Sequence, residues 1–251
     1  MPTMGCTAAP KPATGLSLKQ RMHRFTAAAR QIAGKPRSYA LRAEAAHAPV
    51  KQTPATALDY AEPYRPCVRR PAMNYFLAQA FNNLWANHRL LTACEALSEV
   101  EYKAPRTGFF PSIQSTLCHI LDVDDYYLAA LSGDLAGQAL PSCSSRTFLE
   151  VASGQRSTDR ALVEFCKGVV GENPSRSVRL DRAEGLFEER IDRILLHLFE
   201  HQIHHRGQVH AMLSGTRVAP PQLDEFFLHA DGRLREEEMH VLGLSEADIW
   251  Q

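Results

Sequence analysis

Apolar residues recur at a spacing close to 3.6 in four long segments of the chain, and this period is typical of amphipathic helices. The predicted helices cover residues 73–97, 111–132, 147–169 and 186–214. Core candidates in the first helix are Phe76, Leu84, Trp85, Leu91 and Leu97. The hydrophobic pattern therefore predicts an all-α fold.

Turn-forming residues separate the predicted helices. Gly133 follows the second helix and Gly215 follows the fourth, as expected for residues just past a helix end. The connection 98–110 has room for at most one helical turn. Segment 171–185 is rich in turn residues and could contain a short hairpin, and the tail 231–251 could add one short helix.

The fourth predicted helix carries five of the chain's eleven histidines, within positions 197–210. At about 100° per residue, four of them and Gln208 lie on one side of the helix, beside its apolar stripe. The four are His197, His201, His204 and His205. A solvated polar face would explain this stripe, but so would imidazoles that converge on a metal ion.

The spacing within the stripe allows two imidazoles to share one cation. His201 and His205 are one turn apart, which puts their Cβ atoms about 5–6 Å from each other. His197 and His201 have the same spacing and form the alternative pair. A third ligand has to come from another segment, and His119 in the second predicted helix is the best candidate. The alternative for His119 is a core histidine with a single hydrogen bond.

Two segments of the chain resemble the DinB family of DinB/YfiT-like metalloenzymes. They are "LCHILDVDDYYLAAL" at 117–131 and "LLHLFEHQIHHRGQVHAML" at 195–213. The shorter matches are "NLWANHRLL" at 83–91, "GFFPSIQSTLCH" at 108–119 and "PPQLDEFF" at 220–227. The resemblance covers roughly residues 73–230.

The resemblance implies a four-helix bundle with a metal site of three histidines, which correspond here to His119, His201 and His205. Asp124 and Tyr127 match the family's aspartate and its aromatic position, which is usually tryptophan. Asp124 is the candidate general base or hydrogen-bond acceptor for a metal ligand, with Asp122 and Asp125 of the same acidic run as alternatives. The residues expected to line the pocket are His88, Tyr127, His197, His204 and Gln208.

Three imidazole ligands leave a coordination position for water or substrate, which is typical of catalytic zinc. Zinc is the first choice of metal, with nickel, manganese and iron as alternatives. With the resemblance, this predicts a divalent-metal-dependent enzyme that acts on a small-molecule substrate as a thiol-dependent S-transferase or a hydrolase. A low-molecular-weight thiol is the candidate co-substrate. The alternative is a non-catalytic metal-binding or stress-response protein with a structural or sensory ion. The resemblance also suggests a homodimer.

The charge is distributed unevenly along the chain, although the formal net charge is zero. Residues 1–72 hold 12 Lys or Arg and 3 Asp or Glu, whereas residues 73–251 hold 16 and 25. The basic leader is rich in Ala, Pro and Thr, and we expect it to be disordered. This leader has three possible interpretations. It is a targeting segment, a basic tail that contacts nucleic acid or membrane, or the product of a start codon placed too early, with Met73 as the true first residue. The remainder divides into a metal-binding domain at 73–230 and the tail 231–251.

The acidic body argues against a nucleic-acid partner, because a surface that binds nucleic acid is normally basic. No apolar run approaches the ~18 residues of a membrane span, so no membrane partner is expected. The six cysteines are scattered without a CxxC pair, which indicates free thiols in a reducing compartment. We therefore expect a cytoplasmic protein.

Overall fold

A computed structural model of the chain describes residues 74–139, 146–169 and 175–250. The predicted leader at 1–72 lies outside these ranges. The helices are α1 (Tyr75–Glu95), α2 (Glu99–Lys103), α3 (Ile113–Ser132), α4 (Phe148–Val169), α5 (Ile191–Leu213), α6 (Gly232–Leu242) and α7 (Glu246–Ile249). The strands β1 (Ser177–Arg182) and β2 (Gly185–Arg190) form an antiparallel hairpin before α5. The described part of the chain is thus mostly helical.

Local capping residues account for the boundaries of α1 and α3. The side chains of Asn74 and Ser112 each accept a hydrogen bond from a backbone N–H in the first turn of the helix that follows. Gly133 ends α3 in the left-handed conformation, with φ of 81°, which glycine adopts without steric penalty. The first three predicted long helices are confirmed, and their ends agree with the structure within two residues.

The fourth long helix begins later than the sequence predicts. The prediction started it at 186, but residues 185–190 form strand β2 and pair with β1, from Ser177 opposite Arg190 to Arg182 opposite Gly185. The apolar residue Leu186 fitted the helical period, yet 57% of its surface is exposed. Pairing with β1 satisfies the backbone groups of this segment, and the buried side chains of Val178 and Leu180 anchor the hairpin to the core.

The four long helices pack so that each contacts two others. Helix α1 contacts α4 and α5, and α3 contacts the same two helices. Their apolar faces form the core, in which Trp85, Leu121 and Leu195 are fully buried. None of the described helices is both long and apolar enough to cross a membrane.

The C-terminal segment packs on α1 and does not extend away from the body. Helices α6 and α7 both contact α1, and Met239 and Ile249 are buried in the core. Arg89 on α1 forms ion pairs of 2.9 Å with Glu225 and 2.6 Å with Glu238, and its guanidinium lies over the Trp85 ring. These contacts hold the segment after α5 against the first helix.

Candidate metal centre

Three histidines from two neighbouring helices converge between α3 and α5. His119 belongs to α3, whereas His201 and His205 are one turn apart on α5, which packs against α3. One ligand atom from each side chain lies within 4.8 Å of the other two. The Nε2 atoms of His119 and His201 are 2.9 Å apart. Two nitrogens bound to one tetrahedral ion at about 2.0–2.1 Å would be roughly 3.3 Å apart, so this donor set fits a divalent ion.

Burial keeps the imidazoles of α5 in the form that binds metals. It lowers the pKa of His201 to about 2, with further contributions from the nearby His119 and His205. Burial also lowers the pKa of His205 to about 4. Both rings are therefore neutral at neutral pH and offer a nitrogen lone pair, as a metal ligand requires.

The side chain of Gln208 contacts two of the α5 histidines, one that belongs to the cluster and one that does not. Its Oε1 atom is 2.9 Å from Nδ1 of His205, and its Nε2 atom is 3.0 Å from Nε2 of His204. His205 is fully buried, whereas His204 is exposed. The glutamine thus links a ring of the candidate centre to a ring on the surface.

An aromatic ring that the sequence analysis did not select covers the cluster. The centroid of the Phe110 ring lies 4.4 Å from that of His119 and 5.6 Å from that of His205. Phe110 belongs to the connection between α2 and α3, which the sequence predicted only as a linker. The position of Phe110 two residues before the cap of α3 is the signal that could have found it, because this places it near the first turns of that helix.

Tyr127 and His197 lie together beyond His201. Their ring centroids are 5.4 Å apart, and the centroid of His197 is 6.1 Å from that of His201. Arg182, at the end of β1, donates a hydrogen bond of 3.1 Å to the Tyr127 hydroxyl. Burial and the charge of Arg182 lower the pKa of His197. The alternative ligand pair of His197 and His201 is therefore less compact than the cluster with His119.

The remaining two predicted site residues lie apart from the three rings. Asp124 is buried, and its Oδ2 atom accepts hydrogen bonds from the side-chain amides of Gln155 and Gln202. Its connection to the histidines runs through Gln202, the residue after His201. His88 lines a hollow of about 470 Å³ between α1 and the C-terminal segment, together with Arg89 and Glu238.

Comparison with known protein families agrees with this geometry. The sequence model of the DinB family matches residues 73–239, which is well over half of the chain. The chain belongs to the DinB family. The match runs past the predicted domain end at 230 and into α6. A comparison with curated proteins gave no match.

This DinB chain also contains a buried polar network that the sequence analysis missed. All four long helices contribute to it, and its members are Asn83, Asn87, Asp124, Gln155, Asp159, Gln202 and Arg206. Three of these helices supply a polar pair at i and i+4, which repeats on faces that are otherwise apolar. That repeated spacing is the signal that could have revealed the network.

Amide side chains separate the charges inside the network. Arg206 donates from Nη1 to the amide oxygens of Asn83, Asn87 and Gln202. The amide nitrogens of the two asparagines in turn donate to Asp159, at 3.0 and 2.9 Å. Burial raises the pKa of Asp159 to about 7 and lowers that of Arg206 to about 10. Helix α5 is thus held by this network on one side and carries the histidine cluster on another.

Proposed function

We propose that the chain is a divalent-metal-dependent enzyme that acts on a small molecule, either as a thiol-dependent S-transferase or as a hydrolase. The observation that carries the proposal is the convergence of His119, His201 and His205, whose ligand atoms lie within 4.8 Å of one another. Three nitrogen donors leave at least one position of a divalent ion for water or substrate. When bound, such an ion supplies a Lewis acid that acidifies a water molecule or a thiol.

We further infer that the four long helices form the four-helix bundle of the DinB family. Each of them contacts two others, and both helices with histidine ligands are adjacent members of this arrangement. Zinc is our first choice of metal, because a site of three imidazoles matches its nitrogen-ligated catalytic sites. Nickel, manganese and iron are the alternatives.

The surrounding residues of the chain supply orientation and access in this proposal. His119 is only partly buried, so the cluster has a side from which a small molecule could approach. Phe110 packs on two of the rings and restricts their rotation. Tyr127 and His197 form the wall beyond His201, and the bond from Arg182 holds the tyrosine hydroxyl in place. We assign Asp124 the role of a positioning group for α5, acting through Gln202.

A structural or sensory ion is the second candidate function. The full burial of His205 and the Phe110 ring above it favour a site closed to substrates. Removal of the ion distinguishes the two, because a structural ion contributes directly to folding whereas a catalytic one leaves a folded apoprotein. Within the described ranges, the cysteines Cys94, Cys118 and Cys166 are buried. The setting we propose for the protein is the cytoplasm.

The first experiment measures the metal content of the purified full chain by plasma mass spectrometry. We expect about one divalent ion per chain in the wild type and its loss in His119→Ala and in His201→Ala. The matched control is His88→Ala, since His88 is another partly buried histidine that lines the separate hollow on α1. A folded wild type that binds no zinc, nickel, manganese or iron after reconstitution would contradict the proposal.

The second experiment tests catalysis on the loaded protein. Thiol consumption is followed with small electrophiles, and hydrolysis is followed with ester, amide and phosphate substrates. A rate that depends on the metal and disappears in His119→Ala supports the enzyme. If the loaded protein turns over no substrate and unfolds when the metal is removed, the structural ion is the better description.

A further inference from the structure

Gln208 bridges two imidazoles in a way that assigns their hydrogens. The residue is three positions after His205 and four after His204, so its side chain can reach both rings along α5. Its Oε1 atom faces Nδ1 of His205 at 2.9 Å, and its Nε2 atom faces Nε2 of His204 at 3.0 Å. An amide oxygen only accepts and an amide nitrogen only donates. The contact at His205 therefore requires a hydrogen on Nδ1.

A neutral imidazole carries a hydrogen on one nitrogen and a lone pair on the other. If the hydrogen of His205 is on Nδ1, its lone pair is on Nε2. The Nε2 atom of His205 is buried, and His119 and His201 also approach each other through Nε2. The same ring nitrogen would thus be the ligand atom in all three histidines.

We propose that Gln208 is a positioning residue that holds His205 in the tautomer with hydrogen on Nδ1, so that Nε2 is available to the metal. The inference rests on the proposed metal site. Histidine ligands commonly donate their second N–H to such an acceptor, which orients the ring and increases its basicity. In this orientation the other end of the amide also has a partner, because the Gln208 amide nitrogen donates to Nε2 of His204.

Nitrogen NMR of the metal-free chain tests the tautomer directly. The two ring nitrogens of a neutral histidine give separate shifts, and the signals of His205 are identified by their absence in His205→Gln. We expect hydrogen on Nδ1 in the wild type and a mixture of both tautomers in Gln208→Leu, which keeps the size but removes the acceptor. Gln208→Glu keeps an acceptor oxygen and should restore the wild-type tautomer.

Metal affinity, measured by competition with a chromogenic chelator for zinc, gives the second readout. We expect Gln208→Leu to weaken zinc binding by about 10- to 100-fold and Gln208→Glu to retain affinity close to that of the wild type. The matched control is Gln114→Leu, a glutamine on α3 whose amide donates to the backbone of Arg146. This control should leave both the tautomer and the affinity unchanged.

The results separate this inference from the proposed function. An unchanged tautomer in Gln208→Leu would overturn the inference, even if the variant were less stable. A wild type that binds no metal would refute the proposed function, while the tautomer measurement would still decide the role of Gln208. Equal loss of affinity in the leucine and glutamate variants would also overturn it, because it would mean that the acceptor oxygen is not what matters.

Discussion

Arg206→Met would remove the cation from the buried network while keeping an unbranched side chain. Only 4% of Arg206 is exposed, and its guanidinium balances a region that contains the carboxyls of Asp124 and Asp159. Removing one partner from buried, hydrogen-bonded charges typically lowers stability by about 3–5 kcal/mol. We expect a decrease of this size in the free energy of unfolding at pH 8.

The loss of stability in Arg206→Met should depend on pH, and the titration of Asp159 gives the direction of this dependence. Its folded pKa of about 7 lies above the unfolded value of about 3.9, so the folded state holds a proton that the unfolded state releases. The contribution of Asp159 to the free energy of unfolding therefore falls as pH rises from about 4 to about 7. Since the charge of Arg206 lowers this pKa, its removal extends the fall above pH 7, by up to about 1.4 kcal/mol per pH unit.

Urea denaturation of the full chain, followed by circular dichroism at pH 5 and pH 8, measures this effect. Arg206→Met should lose up to about 1.4 kcal/mol more at pH 8 than at pH 5, and the double variant with Asp159→Asn should recover part of the loss. Arg193→Met is the matched control, because Arg193 lies on the same helix and is exposed. Equal losses at the two pH values, with no recovery in the double variant, would refute the reasoning.

Three further predictions concern the centre and the C-terminal segment. Burial keeps the pKa values of two ligands near 2 and 4, so zinc affinity should fall no more than about tenfold between pH 7 and pH 5.5 in a chelator competition assay. Three histidines with ordinary pKa values would give a fall of about 600-fold over the same range. Phe110→Ala should weaken zinc binding severalfold, whereas Phe109→Ala, which removes an exposed neighbour, should not. Arg89→Gln should lower the free energy of unfolding by about 1–3 kcal/mol and speed amide hydrogen exchange in residues 232–242. The control Arg193→Gln removes an exposed ion pair and should change neither quantity.

The sequence was sufficient for the helices whose ends have local signals. Asn74, Ser112 and Gly133 are capping residues whose preferences are local, and the predicted boundaries near them agree with the structure. The start of α5 has no such cap: Arg190 precedes the helix, and its side chain forms no capping hydrogen bond. Strand β2 instead depends on pairing with β1, which is a contact between segments and is not visible in helical periodicity.

The residues of the candidate site also fall into two groups: those that the local sequence predicts and those that depend on how distant segments pack. His201 and His205 could be predicted from a spacing within one helix, and His119 from its place in the second predicted helix together with the family resemblance. The role of Gln208 depends on which amide atom faces which ring, and the position of Phe110 depends on how a connection folds back over the cluster. Arg206 lies on another side of α5 from the histidines, and only the packing of α1 and α4 explains why a charged residue is buried there.

The wide separation of the histidines in the chain has a consequence for the order of folding. His119 and His201 are 82 positions apart, whereas His201 and His205 are neighbours within one helix. A nascent α5 could hold a metal ion weakly through its pair, but the three-ligand centre exists only after the chain between α3 and α5 has closed a long loop. An ion with a visible absorption spectrum, such as cobalt, would therefore distinguish chains with only helical structure from chains in which α3 has reached its final position.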